Sequence, residues 1–288
     1  MIMSNQYLNE AMVREQETQS LRSKKTLKIG RFLIPVRVYE NNGPHIICVN
    51  GIQQSMAMWQ SFVARFSRDY RITIFDFPNQ GKAKVVSGPD KITFEEQVDI
   101  LKTVIEETGT KNDAALCAAS WGGVIAVAFA SKYPQRVRKL ILASLGTKPN
   151  KAMVETIEQG AALDMNNRDK MAEIIISGFG KDLPQRIKDT IVRQFRSMTE
   201  DNIRAFYEHG LFVISSKRLS DLVSLKDIKA QTILLNGEND TIIDLEDVKF
   251  LATQIPNCEL RIIKDVGHFL HMECEKVFDV YEEILSSL

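Results

Sequence analysis

Apolar segments alternate with helical segments along most of this chain, and this alternation constrains the fold more than any other feature. Six segments are rich in apolar residues: HIICVN, YRITIFDF, DAALCAA, VRKLILASLG, QTILLNG and CELRIIK. Strands of this kind are buried on both faces, which is typical of parallel sheets covered by helices on each side. The sequence therefore predicts an α/β fold with a mostly parallel central sheet.

The alternation stops between residues 148 and 225, where four segments with helical patterning follow one another. A helical block that interrupts a parallel sheet is most simply an inserted cap. We therefore predict a core of residues 26–147 and 226–288, a helical cap of residues 148–225, and a polar N-terminal extension of residues 1–25. Gly30 separates two β-rich runs ahead of the core strands, which predicts a hairpin.

Composition narrows the classes of partner and the cellular location. Lys plus Arg and Asp plus Glu each total 37, so the net charge gives no reason to expect nucleic acid. No apolar stretch approaches the roughly 20 residues that span a bilayer, and the N-terminus lacks the pattern of a signal peptide. The four cysteines have no metal-ligand spacing, and no glycine-rich phosphate loop is present. We predict a cytoplasmic protein without a metal or cofactor.

A lone serine, Ser120, stands where the apolar segment DAALCAA passes into the small-residue helix GVIAVAFASKY. In an open parallel sheet, ligands bind beyond the carboxyl ends of the strands. A sharp strand-to-helix turn presents such a serine and requires small residues two positions before and after it. Ala118 and Gly122 stand at those positions. The alternative is a turn serine without chemistry, but the context predicts a nucleophile.

A serine nucleophile needs a base, and His268 is the best placed of the four histidines. It lies in the loop KDVGHF after the last predicted strand, again at a carboxyl end. His45 precedes the first central strand, His209 lies in the cap and His271 begins the final helix. We therefore predict His268 as the general base.

The base needs an acid to orient it, and Asp240 directly follows the strand QTILLNG. Glu238 is its main competitor, and Asp244 lies in the same stretch. Asp265 is close to His268 in sequence, but a near neighbour rarely reaches the ring of its own histidine. The predicted triad, Ser120, Asp240 and His268, has the chain order of α/β-hydrolases.

Negative charge that develops on an acyl oxygen needs fixed hydrogen-bond donors. The backbone N–H of Trp121 follows the serine at a predicted helix start. The second donor is expected in the loop VNGIQQS, where Gly51 lets the backbone turn and the N–H of Ile52 face the site. A plain β-to-α turn is the alternative, and both can hold together. We predict Ile52 and Trp121 as the oxyanion hole.

These residues resemble the α/β-hydrolase superfamily from about residue 27 to the end. Five segments carry a narrower resemblance, to the 3-(3-hydroxyalkanoyloxy)alkanoate synthases of rhamnolipid biosynthesis and the 3-hydroxyacyl-carrier-protein:CoA transacylases: VNG, FDFPNQGKA, ASWGG, NGENDTIIDLED and VGHFLHMECE. Ala118 replaces the usual glycine and Asn50 stands where many hydrolases have histidine, and both fit this branch. Gln80 and Lys82 make the second of these loops different.

The resemblance implies the α/β-hydrolase fold and an acyltransferase. Ser120 would take a 3-hydroxyacyl group from acyl carrier protein or CoA, and the 3-hydroxyl of a second unit would attack it with His268 as base. Three alternatives stay open: a carboxylesterase or thioesterase, a 3-hydroxyacyl-carrier-protein:CoA transacylase, and a non-catalytic binding protein on the same fold.

Two further sets of residues are candidates for binding. Asn50, Gly51, Phe179 and Phe206 are predicted substrate contacts, and apolar cap residues have spacings that could roof an acyl chain or simply form core. They are Met153, Ile157, Ile175, Phe179, Ile191, Phe195, Phe206 and Phe212. The cap also carries a basic segment that could dock acidic carrier protein or be a solvated helix face. Its cations are Lys181, Arg186, Lys188, Arg193 and Arg196.

Overall fold

The computed structural model describes residues 22–109 and 114–288. The strands in these residues form one sheet in the order β1-β2-β4-β3-β6-β7-β8-β9, with the short β5 paired to β2. Their bounds are β1 Arg22–Ile29, β2 Phe32–Tyr39, β3 His45–Val49, β4 Arg71–Phe75, β5 Lys84–Val85, β6 Ala114–Ala119, β7 Val137–Ala143, β8 Gln231–Gly237 and β9 Cys258–Ile263.

Strand pairing confirms the predicted α/β fold with a mostly parallel sheet. The neighbours β4-β3-β6-β7-β8-β9 are all parallel, whereas β2 is antiparallel to β1, β4 and β5. The parallel strands are mostly buried, as near-continuous apolar runs require. Their carboxyl ends therefore meet at one edge of the sheet, the edge at which the predicted functional residues lie.

Helices cover both faces of the sheet. Alternate residues of β3 belong to different cores, with Ile47 and Val49 facing one and Ile46 and Cys48 facing the other. The first core contains α2 (Phe94–Glu107), α3 (Trp121–Lys132) and α9 (Leu245–Gln254), and the second contains α1 (Gln60–Phe66) and α10 (Val277–Leu285). The period of two in the strands thus produces a three-layer core.

The helical block lies in the chain between β7 and β8. The four predicted helices are α4 (Lys151–Ala161), α5 (Arg168–Phe179), α6 (Gln185–Ser197) and α7 (Glu200–Ile214), and a single turn, α8 (Leu219–Leu222), follows them. The cap has a small apolar core of its own, in which Met171 packs with Phe195 and Phe206. This separate core lets the cap stand over the sheet edge without becoming part of the sheet.

The predicted N-terminal extension falls for the most part outside the described residues. Its last residues, however, belong to β1, since Arg22 pairs with Tyr39 and Lys25 with Val36 across the predicted hairpin. The correction has a simple cause: β1 is an edge strand with exposed positions, and edge strands commonly carry lysines. The polar composition of residues 22–25 therefore concealed the first half of a strand.

Candidate active site

Ser120 occupies the sharp turn between β6 and α3. Its backbone has φ 49° and ψ −123°, a left-handed φ that is strained for a residue with a side chain. The Ser120 N–H donates to the carbonyl of Ala143 on β7 at 2.8 Å, and its carbonyl accepts from Gly123 N–H at 2.8 Å. These bonds hold the strained turn at the carboxyl edge of the sheet, with the serine half-buried.

The predicted need for small neighbours has a direct structural reason at Gly122. A Cβ at this position would lie 2.3 Å from the carbonyl oxygen of Asn50 and 2.6 Å from that of Val49. Helix α3 therefore starts against the end of β3, and only glycine permits the approach. Ala118 is fully buried opposite Val49, where the sheet core leaves room for a small side chain.

The structure brings His268 and Asp240 together from separate loops. His268 Nδ1 lies 2.9 Å from Asp240 Oδ2, and both side chains are almost completely buried. The other carboxylate oxygen, Oδ1, accepts the backbone N–H groups of Ile242 at 2.9 Å and Ile243 at 3.1 Å. Asp240 is thereby fixed to its own turn and to the ring. Because Nδ1 is taken, Nε2 is the ring nitrogen left for exchange with a hydroxyl.

The two groups shift each other's pKa toward the ionised pair. Burial acts to lower the pKa of His268, but the Asp240 carboxylate and its hydrogen bond outweigh it and hold that pKa above 6.5. Burial likewise acts to raise the pKa of Asp240, but the charge and hydrogen bond of His268 and the two backbone N–H groups hold it below its ordinary value. The carboxylate is therefore ionised at neutral pH and favours an imidazolium beside it.

The competing acids occupy other places. Glu238 is exposed, Asp265 is exposed on a residue with φ 59°, and Asp244 accepts from the side chain of Asn150 at 2.9 Å. Among the candidate acids that the sequence offers, Asp240 is the one whose carboxylate contacts His268. Geometry thus selects among alternatives that the sequence left open.

The other three histidines have other surroundings. His45 bonds Thr73 Oγ1 at 2.8 Å, and His271 bonds the carbonyl of Met58 at 3.2 Å and stacks on Trp59. Burial, as the main cause, lowers the pKa of His45, His209 and His271 to about 4 in each case. These rings are neutral at pH 7, whereas the pKa of His268 is raised by the carboxylate bonded to it.

The two predicted oxyanion donors follow neighbouring strands. Ile52 lies in the turn after β3, and Trp121 is the first residue of α3 after β6. The first N–H groups of a helix have no acceptor within that helix, so that of Trp121 needs an acceptor from outside the helix, the role predicted for an oxyanion. A Cβ on Gly51 would lie 3.2 Å from the carbonyl of Ala119, which shows how closely the first loop passes the end of β6.

Three polar residues that sequence reasoning did not assign to the site stabilise its loops. Asp76, directly after β4, accepts from the N–H of Met56 at 2.6 Å. Gln80 Nε2 donates to the carbonyl of Gly51 at 3.2 Å. Glu273 accepts from the N–H groups on both sides of His268, those of Gly267 and Phe269. The position of Asp76 at a strand's carboxyl end was a usable signal, whereas the other two contacts depend on loop geometry.

Ser120 and His268 line one large cavity of about 1030 Å³ beneath the cap. This volume lies at the upper end of the roughly 300–1,000 Å³ typical of small-molecule sites. The Phe179 ring lies 5.9 Å from that of His268, and Phe206 and Ile52 also line the cavity. Of the remaining apolar cap candidates, Ile157, Ile175, Ile191 and Phe195 line it as well. Met153 lines a second cavity of about 40 Å³ beside Ser120.

The structure places two of the predicted substrate contacts outside the large cavity. Asn50 is 1% exposed, donates from Nδ2 to the carbonyl of Phe75 at 2.9 Å and accepts from Trp59 Nε1 at 2.8 Å. With both ends of its amide bonded, Asn50 ties β3 to β4 instead of facing a ligand. Gly51 shapes the loop backbone and does not line the cavity either.

Comparison with known proteins identifies the family. A family model described as alpha/beta hydrolase fold matches residues 44–198, which is more than half of the chain. The chain belongs to the α/β-hydrolase family. An (R)-3-hydroxydecanoyl-ACP:CoA transacylase of Pseudomonas putida is 24% identical over 82% of this chain and 81% of its own length. A poly(3-hydroxyalkanoate) depolymerase of Ectopseudomonas oleovorans is 25% identical over 84% of this chain and 85% of its own.

Solved structures agree with this assignment. An α/β hydrolase enzyme from a Medee basin deep-sea metagenome library superposes with a TM-score of 0.76 at 22% identity, over 89% of this chain and 95% of that one. The predicted family and the prediction of an enzyme are both confirmed. Within residues 22–109 and 114–288, no helix has the length and apolar character to cross a bilayer, and no group of three or more acidic, histidine or cysteine side chains could hold a metal.

Proposed function

We propose that this α/β-hydrolase is a serine acyltransferase that accepts 3-hydroxyacyl groups from acyl carrier protein or CoA. The observation that carries the proposal is the buried Asp240–His268 pair, whose nitrogen and oxygen lie 2.9 Å apart, together with the large cavity that His268 and Ser120 both line. The activity for which the transacylase relatives are named supports the choice of a 3-hydroxyacyl thioester as donor.

In the first half-reaction, Ser120 Oγ attacks the thioester carbonyl while His268 Nε2 takes the hydroxyl proton. Asp240 stabilises the imidazolium, and the N–H groups of Ile52 and Trp121 stabilise the tetrahedral oxyanion. The carbon–sulfur bond then breaks, the carrier thiol leaves with the proton from His268, and the acyl group stays on the serine.

In the second half-reaction, the 3-hydroxyl of another 3-hydroxyacyl unit attacks the acyl-enzyme. His268 takes the proton of this hydroxyl and returns it to Ser120 as the serine ester bond breaks. The product is 3-(3-hydroxyalkanoyloxy)alkanoate, the precursor of rhamnolipids, when the acceptor is a free 3-hydroxy acid, and the carrier thioester of this compound when the acceptor is bound to carrier protein or CoA. A cavity of about 1030 Å³ has room for more than one acyl chain. The apolar cap residues in its lining, such as Phe179 and Phe206, also favour an alcohol over water as the acceptor.

A second candidate is transacylation, in which the thiol of CoA replaces the hydroxyl as acceptor. The names of the transacylase relatives favour it. Hydrolysis is the third outcome, and the depolymerase relative is an example of it. All three share the first half-reaction and differ only in what resolves the acyl-enzyme.

For both donors the partner would approach the cap. Arg186 lies on the exposed part of α6, lines the cavity, and has no ion-pair partner among the described residues. Arg196 is paired with Asp169, and Lys188 bonds the carbonyl of Lys181. In the predicted basic segment, Arg186 is therefore the cation best placed for the phosphate of a phosphopantetheine arm.

The experiment has two stages. A fluorophosphonate probe should label the wild type and not Ser120→Ala, and a wild type that resists labelling would favour a non-catalytic binding protein. The enzyme is then mixed with 3-hydroxyacyl thioesters of graded length, with and without free CoA, and the products are separated by mass spectrometry. A dimeric ester supports the proposal, acyl-CoA supports transacylation, and free acid alone defeats both transferase assignments.

A further inference from the structure

The loop after β4 (residues 76–83) holds the segment after β3 (residues 50–56) at two points. Asp76 Oδ1 accepts the N–H of Met56 at 2.6 Å, while its Oδ2 accepts the N–H of Lys82 at 3.0 Å. Gln80 Nε2 donates to the carbonyl of Gly51 at 3.2 Å. Gln80 and Lys82 are also the residues that make this loop different from that of the acyltransferases which the sequence resembles. Lys82 contributes its backbone here, whereas Gln80 contributes its side chain.

The Gln80 bond acts on the peptide unit that carries a proposed oxyanion donor. The carbonyl of Gly51 and the N–H of Ile52 belong to one planar trans peptide, so they point in opposite directions. Fixing the carbonyl therefore fixes the direction of the Ile52 N–H. Gln54 restrains the same unit with its backbone N–H, which lies 3.4 Å from the Gly51 carbonyl. Its side-chain Oε1 accepts the Gly51 N–H at 2.9 Å and so restrains the preceding peptide, between Asn50 and Gly51.

Folding alone does not favour glutamine at position 80. The side chain is 4% exposed, and its Oε1 has no hydrogen-bond partner among the described residues. A buried acceptor without a partner costs stability, and an apolar side chain of similar size would avoid that cost. Gln80 also lines the same large cavity as Ile52, Ser120 and His268.

We propose that Gln80 is a positioning residue for oxyanion stabilisation, acting through the Gly51–Ile52 peptide. Its Nε2 holds the Ile52 N–H in the direction of the developing charge before the reaction begins. A preoriented donor stabilises the transition state more than one that must turn. Donation to the Gly51 carbonyl also polarises the peptide and strengthens the N–H as a donor. The inference rests on the proposed function, because it requires an oxyanion to form at Ser120.

The test compares Gln80→Met, which removes the donor at similar length, with Gln80→Glu, which replaces it with a carboxylate. We expect kcat for acylation to fall about 10- to 100-fold in Gln80→Met, part of the loss seen when an oxyanion donor is deleted outright, while KM stays within about twofold. Gln80→Glu should lose more, since its charge repels the oxyanion. A trifluoromethyl ketone, which forms an oxyanion with the serine, should bind less tightly by the same factor. A thioether substrate analogue should bind as before.

Lys139→Met is the matched structural control. Lys139 is buried on β7 and bonds the carbonyl of Ile284 at 3.0 Å and Ser287 Oγ at 2.6 Å, near the end of α10 and away from the cavity lining. The melting temperature of the Lys139→Met variant should fall, while its kcat and its affinity for the ketone should equal those of the wild type. Melting temperatures of the Gln80 variants, measured in parallel, show whether they fold.

Two results would overturn the inference. Ketone binding as tight in Gln80→Met as in the wild type would mean that the Ile52 N–H needs no support. An equal weakening of ketone and thioether would indicate a general disturbance of the cavity. If the wild type is not labelled by fluorophosphonate, the proposed function fails and this inference fails with it. Labelling of the wild type with unchanged ketone binding in the variants defeats the inference alone.

Discussion

Asp240 divides its two carboxylate oxygens between the fold and the site. Oδ1 is held by the N–H groups of Ile242 and Ile243, which leaves Oδ2 for His268. This division explains why an acid in the turn after β8 orients a ring from a different loop. It also separates two effects of the carboxylate on His268, because the hydrogen bond selects the tautomer and the charge raises the pKa.

Replacing Asp240 with Asn should alter both rate and pH dependence. An amide NH₂ facing Nδ1 favours the wrong tautomer, and kcat should fall roughly 10³- to 10⁴-fold, as such a change does in other serine triads. The general base must be neutral, so wild-type activity should rise with pH through a midpoint above 6.5. Without the carboxylate, burial lowers the pKa of His268, and the midpoint should move to lower pH.

The measurement is the pH profile of acylation with a chromogenic ester. Glu238→Gln is the matched control, because Glu238 lies in the same turn but is exposed. It should keep the wild-type rate and midpoint. An Asp240→Asn profile with the wild-type midpoint would contradict the role given to the carboxylate.

At the scale of elements, the site depends on how closely α3 approaches the sheet. Most of α3 is buried and nearly all of its residues are apolar, so packing fixes its position on both sides. Its first turn contacts the backbone carbonyls at the end of β3, and these carbonyls leave no room for a Cβ at Gly122. The Trp121 N–H and the strained Ser120 turn are both placed by this contact.

Gly122→Ala should therefore damage stability and activity together. The new Cβ would lie 2.3 Å from a backbone oxygen, which must move, and such overpacking costs about 1–3 kcal/mol of unfolding free energy. We expect fluorophosphonate labelling to slow about tenfold or more. Gly123→Ala is the matched control in the same helix, because its Cβ would meet only the Leu145 side chain, at 3.2 Å. Equal effects of the two changes would contradict this account.

At the scale of the whole molecule, histidine ionisation sets the acid limit of stability. His45, His209 and His271 each have a pKa lowered to about 4, mainly by burial, against 6.5 in an unfolded chain. Between these values the unfolded chain binds more protons than the folded one. Stability therefore rises with pH across this window and is lost as the pH falls through it.

Urea unfolding at pH 7 and pH 5 should show this loss, at about 2 kcal/mol for each of the three histidines. His209→Phe should reduce the difference by about 2 kcal/mol, because it removes one titrating ring from the cap. The His209 Nδ1 has no hydrogen-bond partner among the described residues, so no bond there is broken. A pH dependence unchanged by the substitution would contradict the buried, neutral state of His209.

Much of the fold and part of the site could be predicted because the end of each apolar segment in the sequence indicates where a strand ends. Ser120 directly follows β6, and Asp240 and His268 lie in the loops that follow β8 and β9; a parallel sheet brings such positions to one edge. The four cap helices and the hairpin of β1 and β2 were predicted from their patterning, but residues 22–25 were assigned to the extension and not to β1, because an edge strand can be polar. The roles of the three site residues stay predictions.

The rest depends on distances between loops, which a sequence does not contain. Asn50 has a polar amide that could contact a ligand, yet both ends of this amide are hydrogen-bonded, to the Trp59 side chain and to the Phe75 carbonyl. Glu273 and Gln80 support other loops through backbone groups, and backbone groups leave no signature in side-chain patterns. Apolar spacing in the cap likewise could not separate Phe206, which lines the large cavity, from Phe212, which does not.

The left-handed backbone of Ser120 implies a trade-off between catalytic activity and conformational stability. Holding a non-glycine residue at φ 49° costs of order 1 kcal/mol, and glycine relieves that cost. Ser120→Gly should thus be inert toward fluorophosphonate and yet unfold at higher urea than the wild type, whereas Ser120→Ala, equally inert, should gain nothing from relief of the backbone. Selection for conformational stability alone would therefore favour glycine over serine at position 120.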